Sequence, residues 1–200
     1  MSATRASSST ARFAPHESLR YTAVPSAYGW IAVAATARGL CWLSLAATKQ
    51  EAIATLRAEF PLADLEEDAA LTIWCERAVA SVTSGRSFDE KPGAAQRMDL
   101  RGTEFQHRVW EAIQKIPRGE TRSYAALARS LGKPNAVRAV ARACAVNRVA
   151  LLVPCHRVIG AMGALTGYRW DVERKRQLLT AEGARLDEET RASSKKAVNR

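Results

Sequence analysis

Residues 84–96 (SGRSFDEKPGAAQ), rich in Gly, Ser and Pro, divide the 200-residue chain into two halves that are patterned differently and so must fold differently. A domain boundary is expected near residue 95. Before it, residues 19–45 alternate short apolar runs with turn residues (YTAVP, GWIAVAAT, LCWLSL), the last two flanking Ala37-Arg38-Gly39, which is the pattern of a small antiparallel sheet. Residues 48–60 (TKQEAIATLRAEF) and 69–82 carry apolar side chains at helical spacing and predict two helices, separated by Pro61 and an acidic loop. After the break, Thr103 and Gln106 form a capping-box start, and Phe105, Val109, Trp110 and Ile113 make one apolar helical stripe that ends at Pro117.

A second helix of this half, over 123–131, stops at Gly132, and Pro134 opens a third over 135–145. Two short helices about a Gly-Lys-Pro turn have the spacing of a helix-turn-helix, a spacing also found in proteins that bind no nucleic acid. On the third helix Val137, Val140, Ala141 and Cys144 share one side, while Arg138 and Arg142 stand one turn apart on the neighbouring side among alanines, where a phosphate backbone could come close. Residues 149–153 (VALLV) predict a short buried strand leading to Pro154 and Cys155, and Asp171 caps a last helix over 172–181 that ends at Gly183. The pattern belongs to the α/β (α+β) class.

Charge separates the halves as well. Residues 1–100 hold 10 Lys and Arg against 11 Asp and Glu, residues 101–180 hold 15 against 5, and the last twenty hold 5 against 4. The net +10 therefore arises in the helical half, as expected of a surface that neutralises phosphates; a solvated face kept for solubility gives the same count. No run of 18 uncharged apolar residues predicts a membrane span, and the Ser- and Arg-rich opening MSATRASSSTARF lacks the apolar core of a secretion signal. A cytoplasmic protein with a disordered tail over 1–16 is expected.

Four cysteines, Cys41, Cys75, Cys144 and Cys155, show no CxxC pair, and only Cys155 has a neighbouring His. A thiol becomes a strong nucleophile as its thiolate, which needs a base or a positive setting, and His156, Arg157 and the basic block around them can supply both. A Cys-His dipeptide taken alone is usually structural.

The run from LRGTEFQHRVW through RAVARACAVN and PCHRV to TGYRW and TAEG, residues 100–183, closely resembles the O6-alkylguanine-DNA alkyltransferases, especially the second half of their bacterial adaptive-response members. Residues 18–96 resemble that family's small ribonuclease-H-like N-terminal domain more weakly, in element order and in the GLCWLSL strand. The resemblance implies a tail over 1–16, a ribonuclease-H-like domain over 17–95, a mostly helical winged helix-turn-helix domain over 96–186 and a flexible tail over 187–200.

It also implies site residues. Cys155 matches the alkyl acceptor, His156 the base that acts through a water, Glu182 the carboxylate that orients His156, and Asn147 the hinge that braces the helix-turn-helix against the site. Tyr124 matches the residue that crowds the phosphate beside the target, Arg138 the finger that fills the emptied stack, and Tyr168 the donor to guanine N3. The Val158 carbonyl and the Arg169 backbone N–H are expected to hold the exocyclic groups, Lys175 to order the loop, and Arg142 to meet DNA.

The implied reaction is a single, irreversible transfer of an alkyl group from O6-alkylguanine, with O4-alkylthymine a further candidate, in double-stranded DNA to Cys155 of a monomer that needs no cofactor. Eukaryotic members hold zinc in the first domain through Cys and His, but Cys41 and Cys75 alone lie there, so no metal is expected. The Cys-rich regulatory half of the adaptive-response members has no counterpart in this sequence, so self-induction is not implied. A DNA-binding module without chemistry, or a thiol hydrolase using Cys155 and His156, are the alternatives; the intact Cys155 speaks against the first and the lack of an oxyanion-hole motif against the second.

Overall fold

The computed structural model describes residues 13–84 and 97–185. The expected boundary near residue 95 and most of the two expected tails lie outside these residues. The first half is a four-stranded sheet of order β3-β2-β1-β4, with β1 (Ser18–Ser26), β2 (Gly29–Thr36) and β3 (Gly39–Ala46) as an antiparallel meander. Alternation along β2 sorts the core: Ile31, Val33 and Ala35 face one side, Ala32 and Ala34 the other. Helix α1 (Lys49–Glu59), capped by Thr48, buries Ala52 and Leu56 on the second face beside Leu19 and Trp42. Helix α2 (Thr72–Thr83) buries Trp74, Cys75, Ala78 and Val82 on the first.

Two expectations change here. The acidic segment expected as a loop is an edge strand, β4 (Asp64–Glu67), parallel to β1 from Ser18 opposite Asp64 to Tyr21 opposite Glu67. Leu65 was its only apolar residue, too few to show alternation, and carboxylates suit an exposed edge because they discourage further strand pairing. Residues 13–16, expected in the tail, pack on the fold instead: the Phe13 ring meets Phe60 edge-on at 4.7 Å, and the Arg101 guanidinium lies 3.8 Å from its centroid.

After the break the chain returns alongside β3, where Leu40 donates its N–H to the Arg97 carbonyl at 2.8 Å and Asp99 donates to Leu40 at 2.7 Å. Gly39 permits this approach, since a Cβ there would lie 1.9 Å from the Arg97 oxygen. Helix α3 (Glu104–Gln114) begins with the expected capping box and buries Val109, Trp110 and Ile113. Strand β5 (Arg122–Ser123) pairs in parallel with β6 (Val158–Ile159).

Helices α4 (Tyr124–Ser130) and α5 (Val137–Ala145) flank a turn in which Gly132 takes φ 70° and Lys133 donates to the Ala128 carbonyl. The expected third helix starts with a 3-10 turn, Pro134–Ala136, before α5 proper. Helix α6 (Val172–Ala181) follows the Asp171 cap. One apolar cluster runs from Val33 and Leu43 through Val109, Ile113 and Val140 to Leu178, so the two halves share a core. Among the described residues no helix is long and apolar enough to cross a membrane.

The expected strand over 149–153 is a single bridge, Val149 beside Leu43, followed by tight turns with Leu151 at φ 65°. Asn147 redirects the chain. Its Oδ1 accepts the Val149 N–H at 2.9 Å and its Nδ2 donates to the Val153 carbonyl at 2.9 Å, removing backbone groups that a longer ladder needs.

Candidate active site

Cys155 opens a buried 3-10 turn, Cys155–Arg157, that also carries His156 and Arg157. Asn147 Nδ2, besides bracing Val153, donates to Cys155 Sγ at 3.2 Å. The thiol lines a cleft of about 460 Å³ together with Tyr124, Ala141, Cys144, Thr166, Gly167, Tyr168 and Arg169. One wall is α5 and the other is the segment 166–169, here called the lip. The cleft has the dimensions of a small-molecule site.

Glu182, just past α6, is fully buried and serves two partners: His156 Nε2 lies 3.0 Å from Oε1, and Arg157 donates from Nε to Oε2 at 2.9 Å and from Nη2 to Oε1 at 2.7 Å. Burial alone would raise the Glu182 pKa, but hydrogen bonds from His156 and Arg157 outweigh it and hold the carboxyl at about 2. As an anion it can only accept, so Nε2 of His156 carries the hydrogen and Nδ1 is left as the acceptor nitrogen. Burial lowers the His156 pKa, raises that of Cys155 against the Asn147 hydrogen bond, and raises that of Tyr168. The resting site thus holds a neutral thiol, a neutral imidazole and a protonated phenol. Two buried polar atoms there have no hydrogen-bond partner among the described residues: His156 Nδ1 and Tyr168 Oη.

Lys175, buried on α6, donates from Nζ to the Val158 carbonyl at 2.7 Å and to the Thr166 carbonyl at 3.2 Å, joining β6 to the lip. Of the residues singled out in the sequence, Cys155, His156, Glu182, Asn147, Val158, Lys175, Tyr168, Arg169 and Tyr124 therefore converge. Arg138 and Arg142 do not line the cleft; both stand exposed on the outer side of α5, as their helical spacing implied.

One expectation is corrected. Arg157 was a source of positive charge for the thiol, yet its guanidinium is committed to Glu182 and to the Ile116 carbonyl, at 2.7 Å from Nη1. Glu59, Ser44 and Trp170 were missed. Trp170 Nε1 donates to Ser44 Oγ at 2.9 Å, and Glu59 accepts from both Arg148 and Arg169. Contacts of Glu59 with residues 89 and 110 positions away leave no local signal in the sequence.

Fold and site together define a mixed α+β protein with a buried cysteine backed by an Asn donor and a Glu–His pair. Residues 104–184 match the profile of the 6-O-methylguanine DNA methyltransferase DNA binding domain. The Bifunctional transcriptional activator/DNA repair enzyme Ada of Escherichia coli is 42% identical over 164 residues, 82% of this chain and 45% of that protein. The crystal structure of Mycobacterium tuberculosis O6-methylguanine methyltransferase superposes with a TM-score of 0.64 at 36% identity, covering 84% of this chain and 95% of that one. A Mycobacterium tuberculosis structure in complex with DNA superposes at 0.62 with 34% identity, covering 82% and 92%. The chain belongs to the O6-methylguanine methyltransferase family. It spans about half the length of the curated relatives it matches.

Proposed function

We propose that this protein repairs DNA by moving an alkyl group from O6 of guanine to Cys155 Sγ, once per molecule. The observation that carries the reading is the placement of Cys155 Sγ in a base-sized cleft, bonded to Asn147 and adjacent in the chain to a His156 that is polarised by Glu182. Since burial disfavours the thiolate, a base must take the thiol proton as DNA arrives, and His156 is held ready by an anionic partner that stabilises the imidazolium. The Sγ–C bond forms as the C–O6 bond breaks, and the electron pair passes to the purine. Tyr168 then donates its proton towards N3, and the proton lost by the thiol restores the phenol, so the sum is thiol plus O6-alkylguanine giving thioether plus guanine. The thioether offers water no good leaving group, which accounts for a single turnover.

Reaching a base inside duplex DNA requires rotating it out of the stack, at a cost of a few kcal/mol. In this reading α4 and α5 act as a winged helix-turn-helix that grips the duplex, with Arg142 on phosphate, Tyr124 crowding the phosphate beside the target and Arg138 filling the gap. The Val158 carbonyl, oriented by its bond from Lys175, and the Arg169 N–H hold the exocyclic groups of the base. The first half acts as a ribonuclease-H-like domain, and the protein works as a cytoplasmic monomer. The DNA complex of the Mycobacterium tuberculosis relative supports DNA as the partner.

The test is intact-protein mass spectrometry after incubation with a duplex containing O6-methylguanine. One added methyl group, mapped to the Cys155 peptide, is expected. Unmodified protein that still binds the duplex would indicate a binding module instead.

A further inference from the structure

Glu59, the last residue of α1, lies in the half of the chain that contributes nothing to the lining of the cleft. Its carboxylate nevertheless meets both arms of the site. Oε1 accepts from Arg148 Nε at 2.5 Å, directly after Asn147, and Oε2 accepts from Arg169 Nη2 in the lip, directly after Tyr168. Arg169 in turn donates from Nη1 to the Asn147 carbonyl at 3.4 Å, closing a ring of contacts between the residue that holds Sγ and the residue that bounds the cleft.

From these contacts we infer that Glu59 is a positioning residue for the substrate cleft, fixing the lip against the Asn147 arm; this rests on the function proposed above. Lys175 holds the start of the lip through the Thr166 carbonyl, and Glu59 holds its end through Arg169. Gly167 sits at φ 41° with open space where a Cβ would be, so no side chain packs the lip at that position. Beyond Arg169, Trp170 is pinned to Ser44 and Arg174 donates to the Leu45 carbonyl at 3.0 Å, both from β3. The first half therefore holds the end of the lip with Glu59 and the residues just beyond it with the sheet. Glu59 joins this end of the lip to the Asn147 arm through one carboxylate.

The pair with Arg169 is more than a solvated surface contact. The Glu59 side chain is 15% exposed and that of Arg169 27%. Burial opposes the charge of Glu59, but Arg148 and Arg169 together keep its carboxyl below the usual range, so the carboxylate is present whenever the site is at work. Misplacing a substrate-contacting group by about 1 Å costs on the order of 100-fold in rate, so a lost tether should be visible in the chemical step.

The experiment compares wild type with the near-isosteric Glu59→Gln in single-turnover reactions with an O6-methylguanine duplex, measuring limiting rate and half-saturating DNA concentration separately. Thiol alkylation by iodoacetamide, which needs no base in the cleft, is measured in parallel. The expected result is a limiting rate lowered about tenfold, with iodoacetamide reactivity and half-saturation within twofold of wild type. Arg169→Met should give a similar loss, and the double variant no further loss. A Glu59→Gln rate equal to wild type overturns the inference, as does a fall in iodoacetamide reactivity that matches the fall in transfer, because that reports a disturbed site rather than a displaced lip. Wild-type protein that transfers nothing overturns the proposed function, and the role of Glu59 with it.

Discussion

Lys175 Nζ lies 2.7 Å from the Val158 carbonyl oxygen, so a buried ammonium on α6 is tied to the strand that follows the Cys155 turn. The same ammonium reaches the Thr166 carbonyl, and burial lowers its pKa. Lys175→Met keeps the aliphatic stem and removes both bonds, leaving two carbonyls without that donor. Transfer to Cys155 should fall by about tenfold or more, since the lip loses its bond to β6. The melting temperature should change little, because an apolar side chain avoids the cost of burying charge. A large loss of stability with unchanged transfer in the folded fraction would show that Lys175 serves the core alone.

Glu182 pairs with His156 and Arg157 away from water, and Glu182→Gln leaves Arg157 buried without its counter-charge. Breaking one side of a buried ion pair costs about 3 kcal/mol or more. The pH dependence follows from the carboxyl's depressed pKa, about 2 in the fold against 4.5 for the free group. Stability from this source is complete above about pH 4.5 and is lost as pH falls towards about 2. Denaturant titrations of wild type across that window should show a steeper decline than those of Glu182→Gln. Parallel declines would assign the acid lability to other groups.

Legibility in the sequence divided along range. The capping box at Thr103 and Gln106, the Asp171 cap and the stop at Gly132 are set by residues within a few positions of one another, and all appear where expected. Strand β4 exists because β1 offers it an edge, and its own residues carry no alternation. The turns after Val149 depend on the side chain of Asn147, which takes backbone bonds that an apolar run suggests will go to a sheet. In the site, the identity of Cys155, His156 and Glu182 followed from resemblance, whereas the fork of Arg157 onto Glu182 and the reach of Glu59 to Arg169 needed three-dimensional placement.

Asn147 Nδ2 is the one hydrogen-bond donor to Cys155 Sγ among the described side chains, and it opposes the upward push of burial on the thiol pKa. Asn147→Leu removes that support and also frees the Val149 N–H and the Val153 carbonyl. A loss of about 2 kcal/mol or more is expected from unsatisfied buried groups. In the folded fraction, iodoacetamide should react more slowly at neutral pH, and the pH at which its rate levels off should move upward. An unchanged rate–pH profile would remove Asn147 from thiol activation.

Arg138 and Arg142 stand exposed on α5 without a part in the cleft, so their effects should depend on the form of the DNA. If Arg138 fills the stack after the nucleotide leaves, Arg138→Ala should slow transfer from a duplex by about tenfold or more, because unstacking costs a few kcal/mol that the side chain offsets. The same variant should react with a single-stranded oligonucleotide carrying O6-methylguanine at close to the wild-type rate, where there is no stack to fill. Arg142→Ala should instead weaken binding to both forms and reduce the dependence of affinity on salt by about one counterion. Equal losses for Arg138→Ala on single-stranded and duplex substrate would make Arg138 a phosphate contact like Arg142 and leave the flipped base to be held by the cleft alone.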